Sequence, residues 1–391
     1  MTAPAETLDP EAVRWLRSAA GRWLGSGPGS TPAEKKEVPE DWDAVAEGAR
    51  RHNLEPLLFE LSESGLLTGV PAETLDAWEG QYYRNQIFNL SLLETLAELL
   101  ERALRSDIEP IVLKGPVSIA RRLKDPGLRV MVDVDLLCRQ RDLEPLVEAA
   151  RELGFQTVGE NATYHLSLQH PALGAGLELH FDLYEVLDRR REFIEEVFEG
   201  AERLEVEGCS FRAPSREADL VLQLAHILHH DQRVDLRHWL DFASAAGQAG
   251  ERDELERLLK LADLEPEFEE AVAIARHLFE GDGTALEVDS ELPGHVEAAL
   301  LDLTDRRALL SGARMYPGWW ARLGYVARLL VPSPRRWRAL AASEGTGIGR
   351  ALLRHLTRAF GRGMSKIEHR DQKASPADSP RARLFRRRRL R

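Results

Sequence analysis

From residue 10 to about 105, apolar positions recur at a spacing near 3.6, as in AVRWLRSAAGRWL and in NLSLLETLAELLERAL at 89–104, which predicts amphipathic helices. A Gly-, Pro- and Ser-rich stretch, GSGPGSTPAEKKEVPE at 25–40, separates them as a linker. Near residue 106 the period drops to 2. IEPIVLKGP at 108–116 reads as an apolar strand ending in Lys114-Gly115-Pro116, and SIARRL then opens a helix with Pro116 at its first position and Ser118 in its first turn. RVMVDVDLL at 129–137 and GAGLELHFDL at 174–183 alternate as strands, with a helix at 141–153 between them that ends in Gly154-Phe155. RLEVEGCSFRAPS at 203–215 predicts a hairpin turning at Glu207-Gly208. Helices resume at Ser215, with Glu217 and Asp219 in a first turn where acids suit the helix dipole. The pattern predicts an α+β chain: an N-terminal helical region at 1–105, a small mixed-sheet core at 106–213, a C-terminal helical region at 214–364 and a tail at 365–391.

The strand at 129–137 carries the first chemistry. Side chains at i and i+2 of a strand share a face, so Asp133 and Asp135 emerge together while Val132, Val134 and Leu136 turn the other way into a core. Their Cα atoms lie roughly 6.7 Å apart, close enough for the carboxylates to converge on one hard cation or to bridge two cations about 3.5–4 Å apart. Adjacent like charges repel unless something positive sits between them. Taken alone, the pair fits a solvated strand face as well as it fits a metal site.

The neighbours change that balance. A strand, a glycine turn and a helix start make an anion site, because free backbone N–H groups and the positive end of the helix dipole point at the ligand, and Lys114 adds a mobile cation. On the strand at 174–183, Glu178, His180 and Asp182 share one face and Leu177, Leu179, Phe181 and Leu183 the other, which supplies a third carboxylate. Arg129, on the parity of Asp133, offers a second cation.

Together, LKGPVSIARRL, Arg129 followed by Asp133-x-Asp135, the helix ending in Gly154-Phe155 and Glu178-x-His180 resemble the uncharacterised branch of the nucleotidyltransferases with a DNA polymerase β-like fold, over roughly residues 85–245. Better-known members carry Gly-Ser in the phosphate turn, where this chain has Lys114-Gly115-Pro116. The resemblance implies Mg²⁺-dependent (or Mn²⁺-dependent) transfer of a nucleoside monophosphate from a nucleoside triphosphate, ATP among them, to an unidentified acceptor. It implies that Asp133 and Asp135 hold the metal, that Glu178 completes the metal site or acts as base, and that His180 is the second candidate base. Lys114, Gly115 and Ser118 then bind the triphosphate, and Arg129 neutralises phosphate charge. The competing expectation is a binding protein that recognises a nucleotide or partner without turnover.

Composition adds limits. With 391 residues, 43% hydrophobic and 30% charged, the chain can bury a large core in two or three domains. It has no run of eighteen apolar residues and begins with the acidic MTAPAETLDPEAV, so the expectation is a cytoplasmic protein with neither a transmembrane segment nor a signal peptide. Cys138 and Cys209 are too few for a disulfide framework or a zinc site and are expected to be buried hydrophobes. Residues 312–391 carry 20 Lys and Arg against 4 acids, a surplus of 16 that leaves the remainder near −29 beneath a formal charge of −13. The tail KASPADSPRARLFRRRRLR at 373–391 reads as disordered, and its expected role is either attraction to an anionic partner such as RNA, an acidic protein or a membrane surface, or plain solvation. Trp319, Trp320 and Trp337, interleaved with Arg322, Arg335, Arg336 and Arg338, fit core anchors with snorkelling arginines better than a stacking surface. His226, His230 and Asp231 allow a metal or phosphohydrolase centre, but such a centre needs further, separated His and Asp ligands that the sequence does not assign. The resemblance instead implies that His226 and Asp241 position the acceptor or brace the two lobes.

Overall fold

The computed structural model describes residues 7–25, 39–158, 165–183, 187, 191–230, 232–279 and 292–301. Residues 26–38 of the linker, Asp231, the three C-terminal tryptophans and the whole basic segment with its tail lie outside the described residues. Four helices precede the sheet: α1 (Pro10–Gly25), α2 (Trp42–Arg51), α3 (Glu55–Glu63) and α4 (Ala72–Leu104). Helix α4 runs for 33 residues and starts well before the predicted residue 89, and residues 72–88 contain one glycine and no proline to break it.

Seven strands form one mixed sheet: β1 (Ile111–Leu113), β2 (Asp133–Leu137), β3 (Gln156–Thr157), β4 (His165–His170), β5 (Ala175–His180), β6 (Glu202–Val206) and β7 (Cys209–Ala213), in the order β3-β4-β5-β2-β1-β7-β6. β2 lies between antiparallel β1 and parallel β5. Helix α5 (Gly115–Ser118), continued by a π-helical turn at Ile119–Leu123, follows β1, and α6 (Leu143–Glu152) follows β2. One sheet face packs on α4 and α6. Leu92, Leu93, Leu96 and Leu99 of α4 and Leu146 of α6 are buried there with Val112, Val134, Leu136, Leu177 and Leu179. Each buried leucine contributes roughly 2 kcal/mol of transfer free energy, and truncating one to alanine costs about 2–5 kcal/mol. The apolar parity read from the sequence at 134–136 and 177–179 is this face, and it turns the charged parity to the other side.

The predicted hairpin is β6–β7. Glu207 and Gly208 have φ of +49° and +75°, the two consecutive left-handed residues that a two-residue turn needs to match the strand twist. α7 (Arg191–Glu199) precedes it, and α8 (Arg216–His229), α9 (Leu236–Ala246), α10 (Arg252–Ala262), α11 (Glu265–Phe279) and α12 (Gly294–Leu301) follow. Ser215 caps α8, its hydroxyl accepting from Ala218 N at 3.1 Å, and Asp235 caps α9 in the same way. Helix α1 packs on α9 and α11, and Arg17 donates to the carbonyls of His277 and Leu278 at the end of α11. Helices that precede and follow the sheet in sequence therefore share one layer. Cys138 and Cys209 are buried and free, with both thiols pushed by burial to about 12.

Two strand expectations are corrected. Pairing in β2 starts only at Asp133, so residues 129–132 are not strand and Val132 is 65% exposed instead of buried. The cause is the 3₁₀ turn at Pro126–Leu128, capped by Asp125, from which the chain emerges without a ladder partner until it meets β1 and β5. β5 ends at His180, so Asp182 lies beyond the strand and its carboxylate accepts from Leu183 N at 2.8 Å.

Candidate active site

Register brings the acids together. Asp135 sits opposite Leu113 of β1 on one side and opposite Glu178 of β5 on the other, while Asp133 faces Gly176. In a parallel pair such neighbours project to the same face, so Asp133, Asp135, Glu178 and His180 share a surface. Gly176 makes the arrangement possible: a Cβ there would come 2.9 Å from Asp133 Cβ. β4 adds a residue that the sequence reading did not single out. His165 pairs with His180 across the β4–β5 ladder, and its signal was the polar parity of His165, Ser167 and Gln169.

Asp135 is the hub. Lys114 Nζ donates to its Oδ1 at 2.9 Å, and His180 Nε2 lies 2.9 Å from the same oxygen. His180 Nε2 is also 3.3 Å from Glu178 Oε2, and His165 Nε2 is 3.8 Å from Glu178 Oε1. Lys114 reaches inward from a left-handed backbone position, φ +54°, where the chain turns sharply from β1 into α5.

These contacts set the charges. Burial first, and the charge of Asp135 second, push the Asp133 carboxyl up to about 6. Burial pushes Asp135 the same way, but the Lys114 ammonium and the hydrogen bond from His180 outweigh it and hold Asp135 well below the carboxylate range. The hydrogen bond with His180 lowers Glu178. Burial opposes charge on His180, yet its bonds to Asp135 and Glu178 win and raise it. Burial lowers His165. The site thus holds two ionised carboxylates braced by Lys114 and His180, and a third, Asp133, that lacks a cation of its own. Asp133, Asp135 and Glu178 thus place three carboxylates on one sheet face, oxygen donors of the kind that hard divalent cations take.

Other expected residues are engaged by neighbouring elements. The Arg129 guanidinium is ion-paired with Asp241 of α9, and Arg237 Nε approaches the same carboxylate at 3.5 Å. Arg129 lies before β2, so the parity argument does not reach it, and Asp241 braces the helical layer to the sheet. Burial lowers Arg129 to about 10. The Ser118 hydroxyl accepts from Arg122, which pairs with Asp219 of α8 at 2.8 Å. His226 is half-buried and stacked on His238 with ring centroids 5.1 Å apart, and burial, with Lys114 next, holds its pKa well below the ordinary value. Among the described residues, the group of His and acidic side chains placed to hold a metal is His165, Glu178 and His180, and it includes neither the α8 histidines nor Asp133 and Asp135.

The sequence pattern of a family described as uncharacterised nucleotidyltransferase matches residues 39–280, more than half of the chain. The chain belongs to this nucleotidyltransferase family. The match spans the sheet, every site residue above and the helices from α2 to α11. Two solved structures are similar to this nucleotidyltransferase at 14% identity. A crystal structure of ANT(2'')-Ia in complex with adenylyl-2''-tobramycin has a TM-score of 0.35 and covers 44% of this chain and 97% of its own. A solution structure of the antibiotic-resistance factor ANT(2'')-Ia has a TM-score of 0.36 and covers 48% and 98%. No curated protein matches in sequence. Among the described residues of the nucleotidyltransferase, no helix is long and apolar enough to cross a membrane.

Proposed function

We propose that this nucleotidyltransferase moves a nucleoside monophosphate from a nucleoside triphosphate, such as ATP, to an acceptor hydroxyl in a reaction that depends on Mg²⁺ or Mn²⁺. The observation that supports this most is the placement of Asp133, Asp135 and Glu178 on one face of adjacent strands, with Lys114 against Asp135. Asp133 and Asp135 hold the cation, with Glu178 as the third oxygen donor. When bound, the cation neutralises the triphosphate and acts as a Lewis acid at the α-phosphorus. Lys114 and the backbone N–H groups that open the helical segment 115–123 bind the triphosphate tail. The acceptor oxygen attacks the α-phosphorus, pyrophosphate leaves, and the acceptor proton passes to Glu178. Glu178 suits the base because its hydrogen bond to His180 keeps it ionised, whereas His180, raised by two acids, orients both carboxylates as a donor. Arg129 and Ser118 act through bracing in this reading, since Asp241 and Arg122 engage them. The reaction belongs in the cytoplasm, and the arginine-rich tail at 373–391 serves to attract an anionic acceptor.

Isothermal titration of the full chain with a non-hydrolysable nucleoside triphosphate, with and without Mg²⁺ or Mn²⁺, tests the proposal. Binding is expected to require the cation and to vanish in Asp133→Asn/Asp135→Asn, whose side chains keep the shape but lose the charge. Equal cation-dependent binding by the double variant would overturn the assignment.

A further inference from the structure

Two strands present a second donor set that shares only Glu178 with the proposed Mg²⁺ centre. His165 lies directly across from His180 in the antiparallel β4–β5 ladder, and Glu178 projects from β5 two residues before His180. One ligand atom from each of the three side chains lies within 4.8 Å of the other two. In a tetrahedral site with bonds of about 2.0–2.2 Å, neighbouring ligand atoms are about 3.3–3.6 Å apart. Glu178 Oε2 and His180 Nε2 already stand at 3.3 Å, and Glu178 Oε1 and His165 Nε2 at 3.8 Å. Small side-chain rotations on a fixed ladder would close the set. The donors are two imidazoles and one carboxylate, a combination that favours borderline ions, whereas Mg²⁺ takes oxygen ligands in octahedral geometry.

We propose that His165, Glu178 and His180 form a second cation site, selective for a borderline divalent ion such as Zn²⁺, Co²⁺ or Fe²⁺ over Mg²⁺. The inference deepens the nucleotidyltransferase reading and rests on it only through Glu178, which belongs to both donor sets.

The test is a titration of Co²⁺ into the full-length protein after EDTA treatment and without nucleotide. The expected result is saturable visible absorption of four- or five-coordinate Co²⁺ that survives excess Mg²⁺, is abolished by stoichiometric Zn²⁺, and weakens at least about tenfold in affinity in His165→Ala. Because that variant could also fold poorly, proton NMR of the Co²⁺-loaded natural sequence provides a second readout, with two paramagnetically shifted, exchangeable imidazole N–H signals expected. Displacement of Co²⁺ by Mg²⁺, unchanged affinity in a folded His165→Ala, or absence of shifted imidazole signals would each overturn the proposal. Because nucleotide is absent, its failure leaves the Mg²⁺-dependent nucleotide titration untouched. Failure of that titration with the Co²⁺ spectrum intact would remove the catalytic reading and keep this site.

Discussion

Asp133 and Asp135 stand two residues apart on one strand, yet their surroundings drive them in opposite directions. Asp133 moves from an ordinary 3.8 to about 6, so between these pH values the folded protein keeps a proton that the unfolded chain releases. Its contribution to stability is therefore undiminished below 3.8, is lost as pH rises to 6 and is an unrelieved cost above, on the order of 2–3 kcal/mol. Asp133→Asn should raise the melting temperature at pH 7 and change it far less at pH 4; calorimetry showing the same difference at both would contradict the electrostatic origin. Asp135 has the reverse sign. Its stabilisation is present above the ordinary carboxylate value and is lost as pH falls through its lower folded value. Asp135→Asn should cost about 1–3 kcal/mol at neutral pH in urea unfolding, because Lys114 and His180 lose a charged partner. The acids were legible in the sequence because alternation alone places them on one face. Their opposite electrostatics were not, since these depend on Lys114 from another strand end and on His180 from β5.

At the scale of elements, local patterns disclosed β6–β7 and the Ser215 cap, whose determinants are neighbours in the chain. The register of β2 against β5 joins residues about forty positions apart, and no local pattern encodes it. The predicted start of β2 at residue 129 failed because strand pairing, not alternation, decides where a strand begins. Gly176 is the hinge of the register. Gly176→Val should push β2 from β5, cost about 1–3 kcal/mol and weaken cation-dependent nucleotide binding. Unaltered titrations would show that the acids do not depend on this approach. The ion pair between Arg129 and Asp241 fixes α9 to the segment before β2. Asp241→Asn leaves two buried guanidinium groups without their carboxylate and should cost about 3–5 kcal/mol, measured by urea unfolding, with a loss near zero excluding the brace.

At the scale of the molecule, the sheet's apolar face, buried under α4 and α6, leaves the charged face to carry the site, and α1 joins helices more than two hundred residues away. The α+β class was legible because the change of period from 3.6 to 2 and back is long and strong. The packing of α1 on α9 and α11 was not, since amphipathic faces do not name their partners. Removing residues 373–391 should leave Mg²⁺-dependent nucleotide binding unchanged, because the proposed ligands lie between Lys114 and His180. An anionic acceptor recruited by that tail would instead bind with steep salt dependence that the truncation removes.

The central claim is that Asp133, Asp135 and Glu178 hold a divalent cation with the triphosphate. Anomalous diffraction at the manganese edge, from crystals of the full chain grown with Mn²⁺ and a non-hydrolysable ATP analogue, tests it directly. The account predicts a manganese peak within about 2.0–2.3 Å of the Asp133 and Asp135 carboxylates, with the triphosphate against Lys114. An analogue bound with no manganese at these aspartates, or manganese bound elsewhere with the pair still joined only to Lys114 and His180, would contradict it.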